Sequence, residues 1–275
     1  MCLLSLHVSD SSSSVLAFSI ALQHKLHIEI STSPLIEGVW LLQAAPLPFQ
    51  LVYYALQPYR SRVPMTPGIR SIHIDEDRWI TRPELLLNRI AALAGQSRRL
   101  YARDTVAARI DKPTALSFQE EHHLQVSLPG KYRFGLFHHG ELVAIALFSG
   151  GRSMHDRPAG HRSFELLRFC HKQGAHVVGG FSKLLETFQR AFNPGDIMTY
   201  ADSDWSDGSS YRKVGFIPIT GTQPQLFWVD AHTFMRYHEG RLPPTLHEMP
   251  AADRLRAGFI PVYNGGSIKL VKTSG

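Results

Sequence analysis

Val177-Val-Gly-Gly-Phe-Ser-Lys-Leu-Leu185 decides how this chain is read. Two valines end a strand and two glycines turn it. Phe181, Leu184, Leu185, Phe188 and Phe192 then recur at helical spacing until Asn193-Pro-Gly195 stops them. Strand, glycine turn, helix is an order that leaves unpaired N–H groups at the positive end of a helix dipole, where an anion such as a phosphate is held. Val177, Val178, Gly179, Gly180, Phe181, Ser182 and Lys183 therefore form a candidate cofactor cradle: backbone amides do most of the binding, Ser182 adds a hydroxyl and Lys183 a charge. A tight turn with no ligand explains the same two glycines.

Working outward, Tyr132 to Phe137 and Leu142 to Phe148 alternate as strands around the turn residues His138-His-Gly140, which predicts a hairpin. A glycine-rich stretch, 150–160, reads as a flexible connection to a third strand over Phe164 to Cys170. Beyond the helix, Ile197 to Ala201 reads as a strand and Ser209 to Val214 as a short helix; Phe216 to Ile219 and Leu226 to Val229 close the sheet. Upstream, Pro83 in the first turn and the spacing of Leu85, Leu86, Ile90 and Leu93 predict a helix over 82–94. The run Leu100 to Ile110 reads as one strand, and a helix from Asp111-Lys-Pro113 ends near His123. Phe259 to Tyr263 and Ser267 to Val271, joined by Asn264-Gly-Gly, read as a terminal hairpin.

The fold expected is thus α/β: a mixed, mostly antiparallel central sheet flanked by helices. Four segments are expected: an N-terminal extension over 1–70, a helix-containing lead-in over 71–111, a main domain over 112–230 and a C-terminal tail with a hairpin over 231–275. The proline-rich stretch Pro58 to Arg70 reads as a linker. The 275 residues, 44% hydrophobic and 19% charged, are enough for a real core and exclude disorder as the main state. Two cysteines, Cys2 and Cys170, build neither a disulfide framework nor a four-cysteine zinc site, so a reducing, cytoplasmic setting is expected. The start, Met1 to His7, lacks the basic region of an export signal, and Val39 to Leu56 is too interrupted to span a membrane, so no membrane partner is expected. The net charge of +6 favours anionic partners without naming them.

Several side chains stand where chemistry is plausible. Tyr211-Arg-Lys-Val-Gly-Phe216 ends a helix at Gly215 and places a phenol that is protonated at neutral pH. Glu165 sits inside an apolar strand, so it is either paired with Arg168 or Arg162 or is a base of raised pKa. Asp202, Asp204, Trp205, Ser206 and Asp207 crowd a strand end, suited to orienting an amine, binding a divalent cation or, through Asp207, capping a helix. His122-His123 and His138-His139 are adjacent, so their side chains should diverge, and no metal is expected. Arg98, Arg99, Arg103 and Arg109 suit either a solvated face or phosphate contacts.

Taken together, the glycine turn with Leu185 and the Tyr211, Lys213, Gly215, Phe216 ending resemble the GNAT superfamily of N-acetyltransferases over about Lys112 to Asp230. Glu165 to Cys170, the glycine turn and Tyr200 to Gly208 are similar to poorly characterised GNAT-like proteins of phages and bacteria, some beside endonuclease modules. Where that superfamily has Gln or Arg at the start of its pyrophosphate motif, this chain has Val177. The resemblance implies acetyl-CoA or another acyl-CoA as co-substrate, held by its pyrophosphate on the amides of 178–182, and an unidentified amine as acceptor. It implies Tyr211 as the acid that protonates the departing thiolate, Glu165 as the base, Asp202 and Asp204 near the acceptor, and a β-bulge around Ala146 to Phe148 that frees donors for the thioester carbonyl. The phage-like company and the charge leave nucleic acid as a further partner, and a non-catalytic nucleic-acid-binding module as the competing reading.

Overall fold

The computed structural model describes residues 11–65, 68–154, 158 and 160–273. The amino terminus read for export signals, and part of the 150–160 connection, lie outside the described residues. In chain order, the first elements are α1 (Ser11–Leu26), β1 (Ser31–Ile36), β2 (Val39–Gln43), β3 (Phe49–Tyr54), β4 (Arg70–Asp75), α2 (Glu76–Thr81) and α3 (Pro83–Leu93). Then come β5 (Arg98–Tyr101), a 3-10 turn (Ala102–Asp104), β6 (Val106–Arg109), α4 (Lys112–His122), β7 (Tyr132–His138), β8 (Glu141–Phe148), β9 (Arg152–Ser153) and β10 (Arg162–His171). After these follow β11 (Ala175–Val178), α5 (Gly180–Phe192), β12 (Asp196–Asp202), α6 (Ser209–Arg212), β13 (Ile217–Gly221), β14 (Leu226–Asp230) and β15 (Arg236–His238). A second 3-10 turn (Glu239–Arg241), α7 (Pro244–His247), α8 (Ala251–Arg256), β16 (Phe259–Tyr263) and β17 (Ser267–Thr273) complete the chain.

These elements divide into two compact units whose boundaries do not follow the expected segments. The first takes 1–87, 202–207 and 222–267; the second takes 88–201, 208–221 and 268–275. The chain therefore leaves the second unit after β12 for six residues, and again after β13 for the whole of β14 to β16.

In the first unit, β1, β2 and β3 form an antiparallel meander and β4 joins β3 in parallel. Every residue of β3 is buried, and α1 buries Val15, Phe18, Leu22 and Leu26. Phe18 stacks on Tyr53 at 5.4 Å and meets Trp79 edge-on at 5.3 Å. A separate sheet has the order β15-β14-β16. The stretch expected as a linker holds Arg62, whose guanidinium bonds both Asp75 (2.6 and 3.0 Å) and Asp204 (2.8 and 2.6 Å). Arg236 bonds Asp75 at 2.7 Å and Asp77 at 2.6 and 2.8 Å, so two arginines and three aspartates form one buried network. The two guanidiniums hold the Asp75 carboxyl well below the usual carboxylate range against the effect of burial.

The second unit is built on one sheet with the order β13-β17-β12-β10-β8-β7-β6, with β9 pairing β10. Only the β10–β12 contact is parallel among its registered pairs, so the sheet is mixed and mostly antiparallel, as the sequence predicts. The β7–β8 hairpin also follows the sequence, with His139 (φ 50°) and Gly140 (φ 83°) supplying the two left-handed residues of its turn. Helix α5 lays Leu184, Leu185 and Phe188 on the sheet, and Asn193 (φ 41°) ends it with its N–H on the Gln189 carbonyl. Phe188 is fully buried, stacked 3.7 Å from Phe148 and edge-on to Phe164 at 5.2 Å. On the other face Ala115 and Phe118 of α4 pack on Ile145, Leu147 and Cys170. Asp111 caps α4 by accepting the Thr114 N–H at 2.8 Å.

Four expectations need correction. The run Leu100 to Ile110 is two strands with a 3-10 turn between them, because Ala102–Asp104 folds back through Thr105, whose N–H and hydroxyl both donate to the Ala102 carbonyl. The two C-terminal strands do not pair: β16 pairs β14, whereas β17 enters the large sheet between β13 and β12. Leu226 to Val229 accordingly does not close the large sheet. The bulge lies opposite Phe148 and Leu147, but its extra residue, Leu167, is on β10.

Candidate functional site

The second unit brings the glycine turn to the place where its sheet parts. β10 pairs β12 only through Ser163, Glu165 and the Phe164 between them; from Leu166 onward its ladder is with β8 alone. The Thr199 hydroxyl donates to the Leu166 carbonyl at 3.0 Å, one residue beyond that ladder. Two parallel strands that separate in this way part the sheet beside β10, and β10 then leads through β11 to the turn.

β11 pairs in parallel with β5, an addition the sequence reading did not anticipate. At its end Gly179 (φ 75°, ψ 1°) takes the left-handed conformation, which glycine holds without strain. Gly180 packs so closely that an added Cβ would stand 2.9 Å from Val177 and 3.1 Å from Leu136. The first helical bond of α5 runs from the Lys183 N–H to the Gly179 carbonyl at 3.0 Å, and Gly179 contributes no capping side chain. The N–H groups of Phe181 and Ser182 therefore precede the helical ladder, at its positive end. Val178 and Gly179 are exposed and Ser182 is half-buried, so the turn opens outward.

The side chains of the cradle divide differently. Val177 is buried in the core. Phe181 faces inward, 4.8 Å from Phe169 and 5.5 Å from Tyr211. Lys183 turns back, its ammonium 2.7 Å from the Ala102 carbonyl and also on that of Thr105, so it anchors the 3-10 turn. What the cradle offers an anion is main chain and the Ser182 hydroxyl.

Tyr211 lies in α6, half-buried against Phe181 and, at 5.9 Å, Phe216. The residue is thus on the α5 side of the sheet, next to the first turn of α5. Glu165 is fixed by its main chain, whose N–H donates to the Ser149 hydroxyl and whose carbonyl accepts the Ser149 N–H, both at 2.9 Å. Its neighbours Phe164 and Leu166 point into the α5-side core, so strand alternation sends the Glu165 carboxylate to the opposite face. Burial raises its pKa, while Arg152 and Arg168 pull it back down. Tyr211 and Glu165 thus approach β10 from opposite faces.

The two aspartates belong to the first unit. Asp204 is buried, and besides Arg62 it accepts the Gly265 N–H at 3.0 Å. Asp202 accepts the Asp204 N–H at 3.0 Å and its carbonyl takes the N–H groups of Trp205 and Ser206, which makes a tight polar turn. Among the described residues no group of three or more His, Cys, Asp or Glu is placed to hold a metal. Contrary to the expected divergence, the rings of His138 and His139 meet at 4.2 Å, because the left-handed backbone of His139 swings its ring back.

His171 was missed. It ends β10, packs edge-on to Phe169 at 4.8 Å and lies 4.8 Å from the ring of His176 on β11. Burial, then His176, push its pKa down to about 4, and it bonds the Val177 backbone, tying β10 to the strand that leads into the turn. A histidine after an apolar strand carries no signal in sequence; only the return of β11 gives it a role.

No protein-family model matches the sequence, and no curated protein matches it. Solved structures do align. One is a histone acetyltransferase and related acetyltransferase from Corynebacterium glutamicum, at 13% identity over 62% of this chain and 97% of that one, with a TM-score of 0.36. Another is an IAA acetyltransferase from Bacillus cereus, at 12% identity over 62% and 99%, with a TM-score of 0.34. A third is the PaiA N-acetyltransferase from Thermoplasma acidophilum in complex with coenzyme A, at 15% identity over 52% and 60%, with a TM-score of 0.29. Among the described residues no helix is long and apolar enough to cross a membrane.

Proposed function

We propose that the chain is an acyl-CoA-dependent N-acyltransferase that works by direct transfer. The observation that carries this reading is the parting of β10 from β12 beside a glycine turn whose helix-start amides have no capping side chain. A thioester cofactor with a diphosphate calls for both features: donors for the diphosphate and a gap between parted strands for the amide-bearing arm that follows it.

In the reaction, the acceptor amine attacks the thioester carbonyl, the C–N bond forms and the C–S bond breaks. Glu165, or a water that it polarises, takes the amine proton; burial raises its pKa in the direction that suits a base. Tyr211 donates its phenolic proton to the departing thiolate and is reprotonated from solvent. The cofactor is held by the amides of the turn and the Ser182 hydroxyl. Lys183 supports the turn from behind through the Ala102 and Thr105 carbonyls. Asp204 is committed to Arg62 and takes no chemical step in this account. Heat denaturation with and without acetyl-CoA tests the proposal. A ligand at a hundred times its Kd stabilises by about 2.7 kcal/mol, whereas an unchanged transition at millimolar acetyl-CoA would contradict it.

A further inference from the structure

The charge of this protein is divided unevenly. The second unit holds 19 Lys and Arg against 9 Asp and Glu, and the first holds 10 against 14. The whole positive excess of the chain, and more, belongs to the second unit, so the long-range attraction for anions originates there.

Within it, one surface combines basic and aromatic groups on rigid backbone. β5 and β11 pair with Arg99 beside His176 and Tyr101 beside Val178. Paired residues of a parallel ladder share a face, and residues two apart share it too. Arg99, Tyr101, His176 and Val178 therefore stand on one side, and all four are exposed, Tyr101 by 45% and Val178 by 40%. The opposite side of the same ribbon, Leu100, Ala175 and Val177, is buried in the core and fixes it. Arg103, just beyond, lies with its guanidinium 4.9 Å over the Tyr101 ring; Asp104, 3.8 Å from Arg103, offsets part of that charge. Lys183 clamps the 3-10 turn that carries Arg103. An exposed tyrosine on a sheet face, flanked by arginines, is the arrangement on which unpaired bases stack while their phosphates are neutralised.

We propose that the outer face of the β5–β11 ribbon, with Tyr101 at its centre and Arg99 and Arg103 beside it, binds single-stranded nucleic acid. Duplex offers no free base face to Tyr101, and the ribbon is packed against the core along its other side rather than standing clear to enter a groove. The inference does not depend on acyl transfer: Arg99, Tyr101 and Arg103 take no step in that reaction, and only Val178, at the edge of the face, belongs to the turn.

The test is fluorescence anisotropy of a labelled single-stranded oligothymidine with the full chain, at about 50 and about 200 mM salt. Wild type is expected to bind, more weakly as salt rises. Tyr101→Ala should weaken binding by about 5- to 150-fold, the range that one lost base stack spans. Arg99→Ala and Arg103→Ala should each reduce the salt slope by about one. Arg190→Ala removes the same charge about 15 Å along α5 from the turn and should leave the affinity within about twofold. Circular dichroism melting of each variant separates lost binding from lost fold, and Tyr101→Phe, which keeps the ring, should bind as wild type. No binding at the lower salt, equal binding of wild type and Tyr101→Ala, a loss in Arg190→Ala as large as in Arg99→Ala, or tighter binding of the duplex than of the single strand would each overturn the proposal.

Discussion

Both units of this chain bury aromatic rings, and what sets them apart is the ion network that the first adds. The first, with the smaller share of basic residues, buries charge: Asp75, Asp77 and Asp204 are locked on Arg62 and Arg236 at 2.6 to 2.7 Å. The second, which carries the positive excess, buries rings: Phe134, Phe148, Phe164 and Phe188 meet one another under α5. An ion network demands every partner, since removing one leaves a charge stranded in a poor solvent. An apolar core tolerates an opening at its rim. The uncapped turn and parted strands lie in the second unit, while the polar run at 202–207, which in sequence suits an amine, a divalent cation or a helix cap, is taken up by the first.

The largest expected effect comes from attacking the ion network. Arg62→Met leaves Asp204 without its arginine and Asp75 with Arg236 alone, and should cost about 3–5 kcal/mol in urea unfolding at neutral pH. The Asp75 carboxyl is held below its ordinary pKa, so this stabilisation is complete above about pH 4 and is lost as pH falls further, through the depressed folded value. The gap between wild type and Arg62→Met should therefore close in acid. A gap that stayed constant with pH would mean that Arg62 acts by packing, and the contrast between the units would fail.

Next is Tyr211→Phe, which keeps the ring on Phe181 and Phe216 and removes only the proton donor. Turnover with an amine acceptor should drop about a hundredfold with acetyl-CoA affinity unchanged. Equal turnover would remove Tyr211 from the mechanism.

The smallest is Gly180→Ala. Its Cβ, 2.9 Å from Val177, should cost about 1–3 kcal/mol of stability and weaken acetyl-CoA binding by shifting the turn. Stability lost with acetyl-CoA affinity intact would mean that the turn is structural only.

Much of the second unit was legible because its signals are local. The hairpin of β7 and β8, the helix α5 with its Asn193 stop, and the capped start of α4 at Asp111 are each written within some fifteen residues. What misled was long-range pairing. Asn264-Gly-Gly looks like a hairpin turn, yet β16 finds β14 and β17 finds β13, choices that only the packed sheets decide. Arg62 sits among prolines that read as a linker, and its partner Asp204 is 142 residues away. The turn itself was found from sequence, but the inward roles of Phe181 and Lys183 were not, since periodicity does not tell whether a residue in a first helical turn meets a ligand or the neighbouring loop.

The most direct test of the account is backbone amide NMR of the full chain titrated with acetyl-CoA. Saturable shifts concentrated on the amides of Phe181 and Ser182, with the Arg62 network of the first unit unmoved, are the predicted result. Resonances at the turn that stay fixed at millimolar acetyl-CoA would contradict it.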